Sequence, residues 1–213
     1  MNTDDLVALL ASRAGAVDPG ATARRFLLAV ACGTAAAAML SAGVLGLRPT
    51  PLDEASIPMF WAREMFCASL SVVGLMAVQR LGRPGMHPGW LPIGLAAPPV
   101  VMWGLAAVAL LGADAPHRAS LILGTTARVC PLLIALLSTP LLAAFVWLMK
   151  GLAPTRLRLA GAACGFAAGA TGALAYTLHC PELAAPFVGI WYVLGMLVPT
   201  AFGALMGPRL LRW

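Results

Sequence analysis

Six long apolar stretches follow one another along the chain, at roughly residues 26–47, 57–78, 91–111, 120–148, 159–178 and 187–206. Each reaches the length of about 20 residues that a helix needs to cross the hydrocarbon of a bilayer. In lipid every backbone N–H and C=O needs an internal partner, so each stretch is expected to be helical. The fourth is long enough to tilt, or to begin outside the hydrocarbon. The expected fold is all-α: a polytopic bundle of about six transmembrane helices over residues 26–213. A cytoplasmic segment, residues 1–25, precedes it.

Composition supports that reading. Of 213 residues, 61% are hydrophobic and 10% charged, against the roughly 25% charged residues of a soluble domain. No single soluble core could hide so much apolar surface. The net charge is +6, which in a soluble chain would point to nucleic acid. Here the basic residues stand in the gaps between apolar runs, where they set orientation, so no direct nucleic-acid contact is expected. The first 25 residues begin acidic and lack an apolar stretch after a basic one, so no cleavable signal peptide is expected.

With the N-terminus inside, the inner segments hold ten basic residues: Arg13, Arg24, Arg25, Arg80, Arg83, Lys150, Arg156, Arg158, Arg209 and Arg212. The outer ones hold four: Arg48, Arg63, Arg118 and Arg128. Positive charge accumulates on the cytoplasmic side, so both termini are expected there. The acidic Asp53, Glu54, Glu64, Asp114 and Glu182 fall on the outer side. Trp61 and Trp191 fall near outer ends and Trp90, Trp147 and Trp213 near inner ends, as an aromatic belt requires. No chain of ionisable residues crosses the membrane, which argues against a proton relay. Glu64 has Arg63 or Arg128 as a prospective partner.

Small residues mark packing. Gly161, Gly165 and Gly169 recur every four residues on the fifth span, and Gly203 and Gly207 repeat the spacing on the sixth. Such a stripe lets a neighbouring backbone approach closely. Pro98, Pro99, Pro140 and Pro199 interrupt spans and are expected to kink them.

Residues 3–14 predict a short helix, with Thr3 as its cap and Asp4 and Asp5 in the first turn, where the helix dipole favours negative charge. Leu6, Leu9 and Leu10 make an apolar stripe at helical spacing. A linker over residues 15–22 follows, rich in Gly, Ala and Pro. Helices that lie on an anionic leaflet are basic on their polar face. This one is acidic, which favours docking into the groove of a basic partner over lying on lipid.

Of five cysteines, Cys32 and Cys164 fall in inner halves and read as small core hydrophobes. Cys67 falls in the outer half of the second span. Cys130 and Cys180 flank a hairpin whose midpoint lies in the inner loop, so its arms bring both thiols to similar depth on the oxidising side, where disulfides persist. Pro131 and Pro181 follow them and read as first-turn prolines. A thiol at such a helix start is favoured as reactive thiolate. His179, Glu182, His117 and Cys67 are further candidate ligands, and thiolate with imidazole suits copper(I) or zinc, held transiently. No CxxC pair is present. A redox- or metal-sensing pair, a static disulfide and two unrelated interface cysteines all remain open at this point.

Several segments resemble the NrsF-type family of membrane anti-sigma factors: Thr3-Asp4-Asp5-Leu6 and its distance from the basic start of the first span; Leu178-His179-Cys180-Pro181-Glu182; Phe187 and Trp191-Tyr192; and the ending Gly207-Pro208-Arg209-Leu210-Leu211-Arg212-Trp213. The resemblance spans nearly the whole chain. It implies a regulator of the bacterial inner membrane and not an enzyme. Such a regulator holds an extracytoplasmic-function sigma factor through its cytoplasmic part and releases it when a periplasmic cysteine pair senses heavy-metal or oxidative stress. Cys130 and Cys180 match that pair, and Asp4, Asp5, Leu6, Leu9 and Leu10 become the candidate grip on the sigma factor. Modification of the thiols would alter the packing of the fourth and fifth spans, and the glycine stripe would let that pair shift against its neighbours. Two rivals stand beside it. A membrane thiol oxidoreductase would need a closely spaced or relayed pair. A small metal transporter would need polar groups along a path at mid-depth, where the spans offer only isolated hydroxyls.

Overall fold

The computed structural model describes residues 2–13, 20–46, 55–83, 85–87 and 89–212. Among these the chain is all-helical. A short helix α1 (Thr3–Arg13) comes first. Six helices long and apolar enough to cross a membrane follow: α2 (Ala21–Leu45), α3 (Pro58–Leu81), α4 (Leu91–Gly112), α6 (Cys130–Lys150), α7 (Leu157–Tyr176) and α8 (Ala185–Leu210). A short α5 (Ala115–Leu123) stands between α4 and α6.

Proline writes several of the starts. Helices α3 to α6 and α8 each carry one in the first turn, where its missing N–H costs nothing. Pro98, Pro99, Pro140, Pro199 and Pro208 lie inside helices. Two spans contain π-helical stretches, Ser41–Leu45 in α2 and Val188–Tyr192 in α8. Such stretches mark places where the regular ladder is traded for a particular side-chain placement.

Helix α7 is the axis of the bundle. Its residues are mostly Ala and Gly, and it packs against α8, α3 and α6. A Cβ at Gly161 would strike the backbone of Gly203, one at Gly165 the carbonyl of Pro199, and one at Gly169 would come 2.9 Å from the Met196 carbonyl. Gly203 and Gly207 on α8 face Gly161 and Leu157 in the same way. The stripe therefore joins α7 to α8, and these two helices form one unit.

Outward faces are apolar along the length of the bundle. Leu111 is 81% exposed, Leu205 74% and Ile93 73%. Contiguous apolar surface of that kind is foreign to a soluble monomer. Two buried clusters divide the interior. One gathers Cys67, Cys130, Cys180, Tyr176 and Tyr192 at one end. The other gathers Leu141, Phe145, Met149, Cys164 and Leu211 near Lys150, Arg156 and Arg209. The first is the thiol end and the second the basic end.

Of the two courses open to the fourth apolar stretch, the chain takes the second: α5 stops at Leu123, a run of turns occupies residues 124–129, and the helix of spanning length starts at Cys130. Gly124, at φ +50°, makes the break, because that conformation strains any residue with a Cβ. Three local expectations change. The first helix is capped by Asn2 and not Thr3: Asn2 O accepts from Leu6 N (3.2 Å), and Asp5 Oδ2 accepts from Asn2 N (3.3 Å), half of a capping box. Arg24 and Arg25 lie inside α2, which starts at Ala21. Cys32 is exposed on the bundle surface, whereas Cys164 is fully buried. The linker expected over residues 15–22 falls largely outside the described residues, as do Arg48, Asp53, Glu54 and Trp213.

Candidate functional site

Two interruptions between helices meet at the thiol end. The turns at 124–129 lead into α6, and residues 177–184 join α7 to α8. Cys130 is the first residue of α6, and its N–H donates to Thr126 O at 2.9 Å. Cys180 lies just past α7, its N–H donating to Tyr176 O at 3.0 Å. Pro131 is a first-turn proline, but Pro181 is not: α8 begins only at Ala185, so Cys180 sits in extended linker and gains nothing from a helix start. Thr126 touches both segments: its carbonyl holds Cys130 N–H, and its Oγ1 lies 3.9 Å from Cys180 Sγ. Both cysteines are free and fully buried, and they share their cluster with Cys67, also free and fully buried.

Arg63 is the keystone of this end. Its place near the end of a span was visible in the sequence, but its burial was not: the residue is 0% exposed. Its Nη1 donates to Cys180 O (3.0 Å) and Glu182 O (3.2 Å), and Nε and Nη2 both donate to Glu64 Oε1 (3.3 and 2.9 Å). Phe60 lies 5.5 Å from its guanidinium carbon. Glu64 Oε2 in turn accepts from Thr177 Oγ1 at 3.0 Å. Helix α3 thus grips the segment that carries Cys180 from both sides. Ionisable residues at membrane depth are rare and mark functional sites. That signal was available, and Arg63 belongs among the site residues on it.

Glu182 serves the same segment. Its Oε1 accepts from the Thr125 N–H and from Thr125 Oγ1, both at 2.7 Å. A Cβ on Gly124 would lie 2.7 Å from that carboxylate, so the glycine leaves it room. His179 Nδ1 contacts Gly46 O at 3.1 Å, which ties the end of α2 to the segment. His117 is exposed on α5. Glu182 and His179 are therefore engaged in holding the linker, and His117 stands apart. Among the described residues, no three His, Cys, Asp or Glu side chains are placed to share one metal ion.

Two tyrosines, absent from the sequence-based list of site residues, complete the site. Tyr176 ends α7 beside Cys130, Cys180 and Thr126. Tyr192, on the π-helical stretch of α8, lies beside Cys180 and Cys67. Their rings are 5.8 Å apart. Both residues are 0% exposed, and neither hydroxyl has a hydrogen-bond partner among the described residues. An unpartnered buried hydroxyl costs about 1–3 kcal/mol. The π-helical stretch is what aims Tyr192 inward. Its Gly189 carbonyl is taken by the Trp103 indole at 2.9 Å, and Trp191 donates to Ile122 O at 2.8 Å. The Trp191-Tyr192 pair was legible as a motif; that one ring anchors the helix and the other enters the thiol site was not.

At the other end, α1 exposes its apolar side chains: Leu6 is 40% and Leu9 46% exposed. Asp4 and Asp5 are exposed in its first turn. Leu10 is on the same helix, with its side chain outside the described residues. The start of α2 (Thr22, Ala23, Phe26), the end of α3 (Val78, Gln79, Arg83) and Leu148 and Leu152 line a cleft of about 320 Å³ at the basic end.

The chain is 47% identical over 213 residues to the protein named Probable anti-sigma-F factor NrsF from Azospira oryzae, covering 100% of both. It is 39% identical over 221 residues to the Anti-sigma-F factor NrsF of Caulobacter vibrioides, again covering 100% of both. No solved structure matches it. The family described as negative regulator of sigma F matches residues 10–213, from the end of α1 through every spanning-length helix and both halves of the thiol site; the chain belongs to that family, the NrsF negative regulators.

Proposed function

We infer that this protein is a multi-pass inner-membrane anti-sigma factor. It retains an extracytoplasmic-function sigma factor at the cytoplasmic face and releases it when the Cys130–Cys180 site reacts with a heavy metal or an oxidant. The observation that carries the reading is full-length relatedness to two anti-sigma-F factors, joined to a bundle whose buried thiols and whose exposed acidic helix are separate features. Six spanning-length helices with apolar outward faces suit a bilayer, and the excess of basic residues at one end sets that end inside.

In this reading α1 is the grip, offering Leu6 and Leu9 flanked by Asp4 and Asp5 to a basic groove on the sigma factor. The input is modification of Cys130 or Cys180. Helices α7 and α8 move as one unit, so the displacement falls between that unit and α6. Arg63 passes it to α3, whose far end lines the cleft beside the start of α2. A modification shifts such an equilibrium only by its different affinity for the two states. A metal, where one is the signal, is bound transiently by the two thiols.

The test is co-purification with the bacterium's extracytoplasmic-function sigma factors, using the intact chain and a chain lacking residues 1–22. The intact protein is expected to retain one sigma factor and the truncation to lose it. If neither form retains any, the anti-sigma reading is wrong. The Cys130→Ser/Cys180→Ser variant is expected to retain its partner under metal or peroxide stress; release from that variant overturns the sensing step.

A further inference from the structure

The thiol site contains more polar chemistry than two cysteines need. Tyr176 comes from the end of α7 and Tyr192 from the π-helical stretch of α8, and both hydroxyls enter the same buried cluster as Cys180. Both are completely buried and unpartnered among the described residues. Elsewhere the site satisfies its polar groups closely. Arg63 makes four hydrogen bonds, and Glu182 Oε1 accepts two. Ser41 and Ser71 also carry buried unpartnered hydroxyls, but only here do two such groups, from two helices, lie beside the same cysteine, Cys180. Each can donate one hydrogen bond, and a neutral thiol is a weak acceptor for it. An oxygen atom bonded to the same sulfur is a strong acceptor.

We propose that Tyr176 and Tyr192 are positioning residues for an oxygenated form of Cys180, the sulfenic acid produced by a hydroperoxide. The Cys180 sulfur attacks one peroxide oxygen. The S–O bond forms as the O–O bond breaks, and the thiol proton leaves with the departing oxygen as water from hydrogen peroxide, or as an alcohol from an organic hydroperoxide. Sulfur loses two electrons and the peroxide gains the same two. The new S–O oxygen then accepts from the two tyrosine hydroxyls, and Thr126 Oγ1, 3.9 Å from the sulfur, is an acceptor for the sulfenic proton. Sulfenic acids are normally short-lived because a thiol consumes them. Cys130, in the same cluster, is the thiol that would do so. The inference rests on the reading of Cys180 as a sensing thiol, and it names the class of oxidant and the residues that hold its product.

The experiment uses the full chain in detergent or native membranes, with Cys130→Ser to remove the competing thiol. It is treated with hydrogen peroxide and then with a dimedone-type reagent, and labelled Cys180 is quantified by mass spectrometry. Label is expected on Cys180. Tyr176→Phe and Tyr192→Phe are each expected to reduce it about tenfold, the size of one hydrogen bond lost to a polar acceptor. Thermal unfolding without peroxide is expected to stay unchanged or to rise, because each change removes an orphan hydroxyl. That combination separates positioning from support of the fold. Absence of label on Cys180 in the parent overturns the proposal, and so does label undiminished by both Tyr→Phe changes. Sigma-factor retention is measured on the same samples: label that follows this pattern without any partner release would overturn the sensing function and leave the tyrosine assignment standing.

Discussion

The two interiors of this bundle are built from the same helices and behave as different materials. At the basic end, Leu141, Phe145, Met149 and Ala160 surround a lone Cys164, and the cysteine is one more small apolar side chain. At the thiol end, three cysteines share their space with two orphan tyrosine hydroxyls and a buried arginine. For helices of spanning length, a bilayer would supply no hydrophobic drive between them, and packing and polar pairing would decide what stays together. The basic end is held by packing. The thiol end is held by a network centred on one cation, and it leaves two donors without partners. The comparison teaches that a buried cysteine is defined by its surroundings: Cys164 and Cys180 are equally buried, yet only one has polar groups aimed at it.

That contrast can be broken most forcefully at Arg63. Arg63→Ala removes the hydrogen bonds to Cys180 O and Glu182 O and leaves Glu64 partly buried beside Thr177. Removing one partner of a buried charged pair costs about 3–5 kcal/mol. Thermal unfolding of the purified protein in detergent is expected to show a loss of that size, and an unchanged midpoint would mean the network does not hold the thiol end.

Next in size is the seam that runs the length of the bundle and serves both ends. Gly165→Ala would place a Cβ against the Pro199 carbonyl, forcing α7 and α8 apart at an overpacking cost of about 1–3 kcal/mol. Denaturation in detergent checks it. A neutral result would show that the two helices separate freely and are not one unit.

The smallest effect is expected in the basic core itself. Cys164→Ala keeps a small apolar side chain in place and should shift stability by less than about 1 kcal/mol, with partner retention and stress-induced release as in the parent. A release defect from this variant would erase the difference between the two cores.

Much of this organisation was legible along the chain. Span number and approximate position follow from the length of apolar runs, because bilayer thickness acts on each run separately. The meeting of Cys130 and Cys180 in one cluster follows from equal arms about the loop between α6 and α7, a matter of counting residues. The Gly161, Gly165 and Gly169 stripe announced a close approach without naming the partner. The rest was hidden for one physical reason. A helix that is apolar all round has no amphipathic face to say which way it turns, so burial of a given side chain depends on neighbours far away in sequence. Arg63 read as an interfacial charge and is wholly buried, because residues 180–182 cover it. Cys32 read as core and faces outward. Tyr176 and Tyr192 gave no sign of sharing a site.

The sequence alone therefore determined that the chain forms helices of spanning length, with a basic end and a thiol end, since each of those properties is local to a segment or additive over segments. Only the tertiary structure decided that Cys180 is gripped by Arg63, that α7 is locked to α8, and that two tyrosine hydroxyls point at one sulfur. Those facts require helices far apart in the chain to settle their rotations against one another, and rotation is fixed by contact between surfaces.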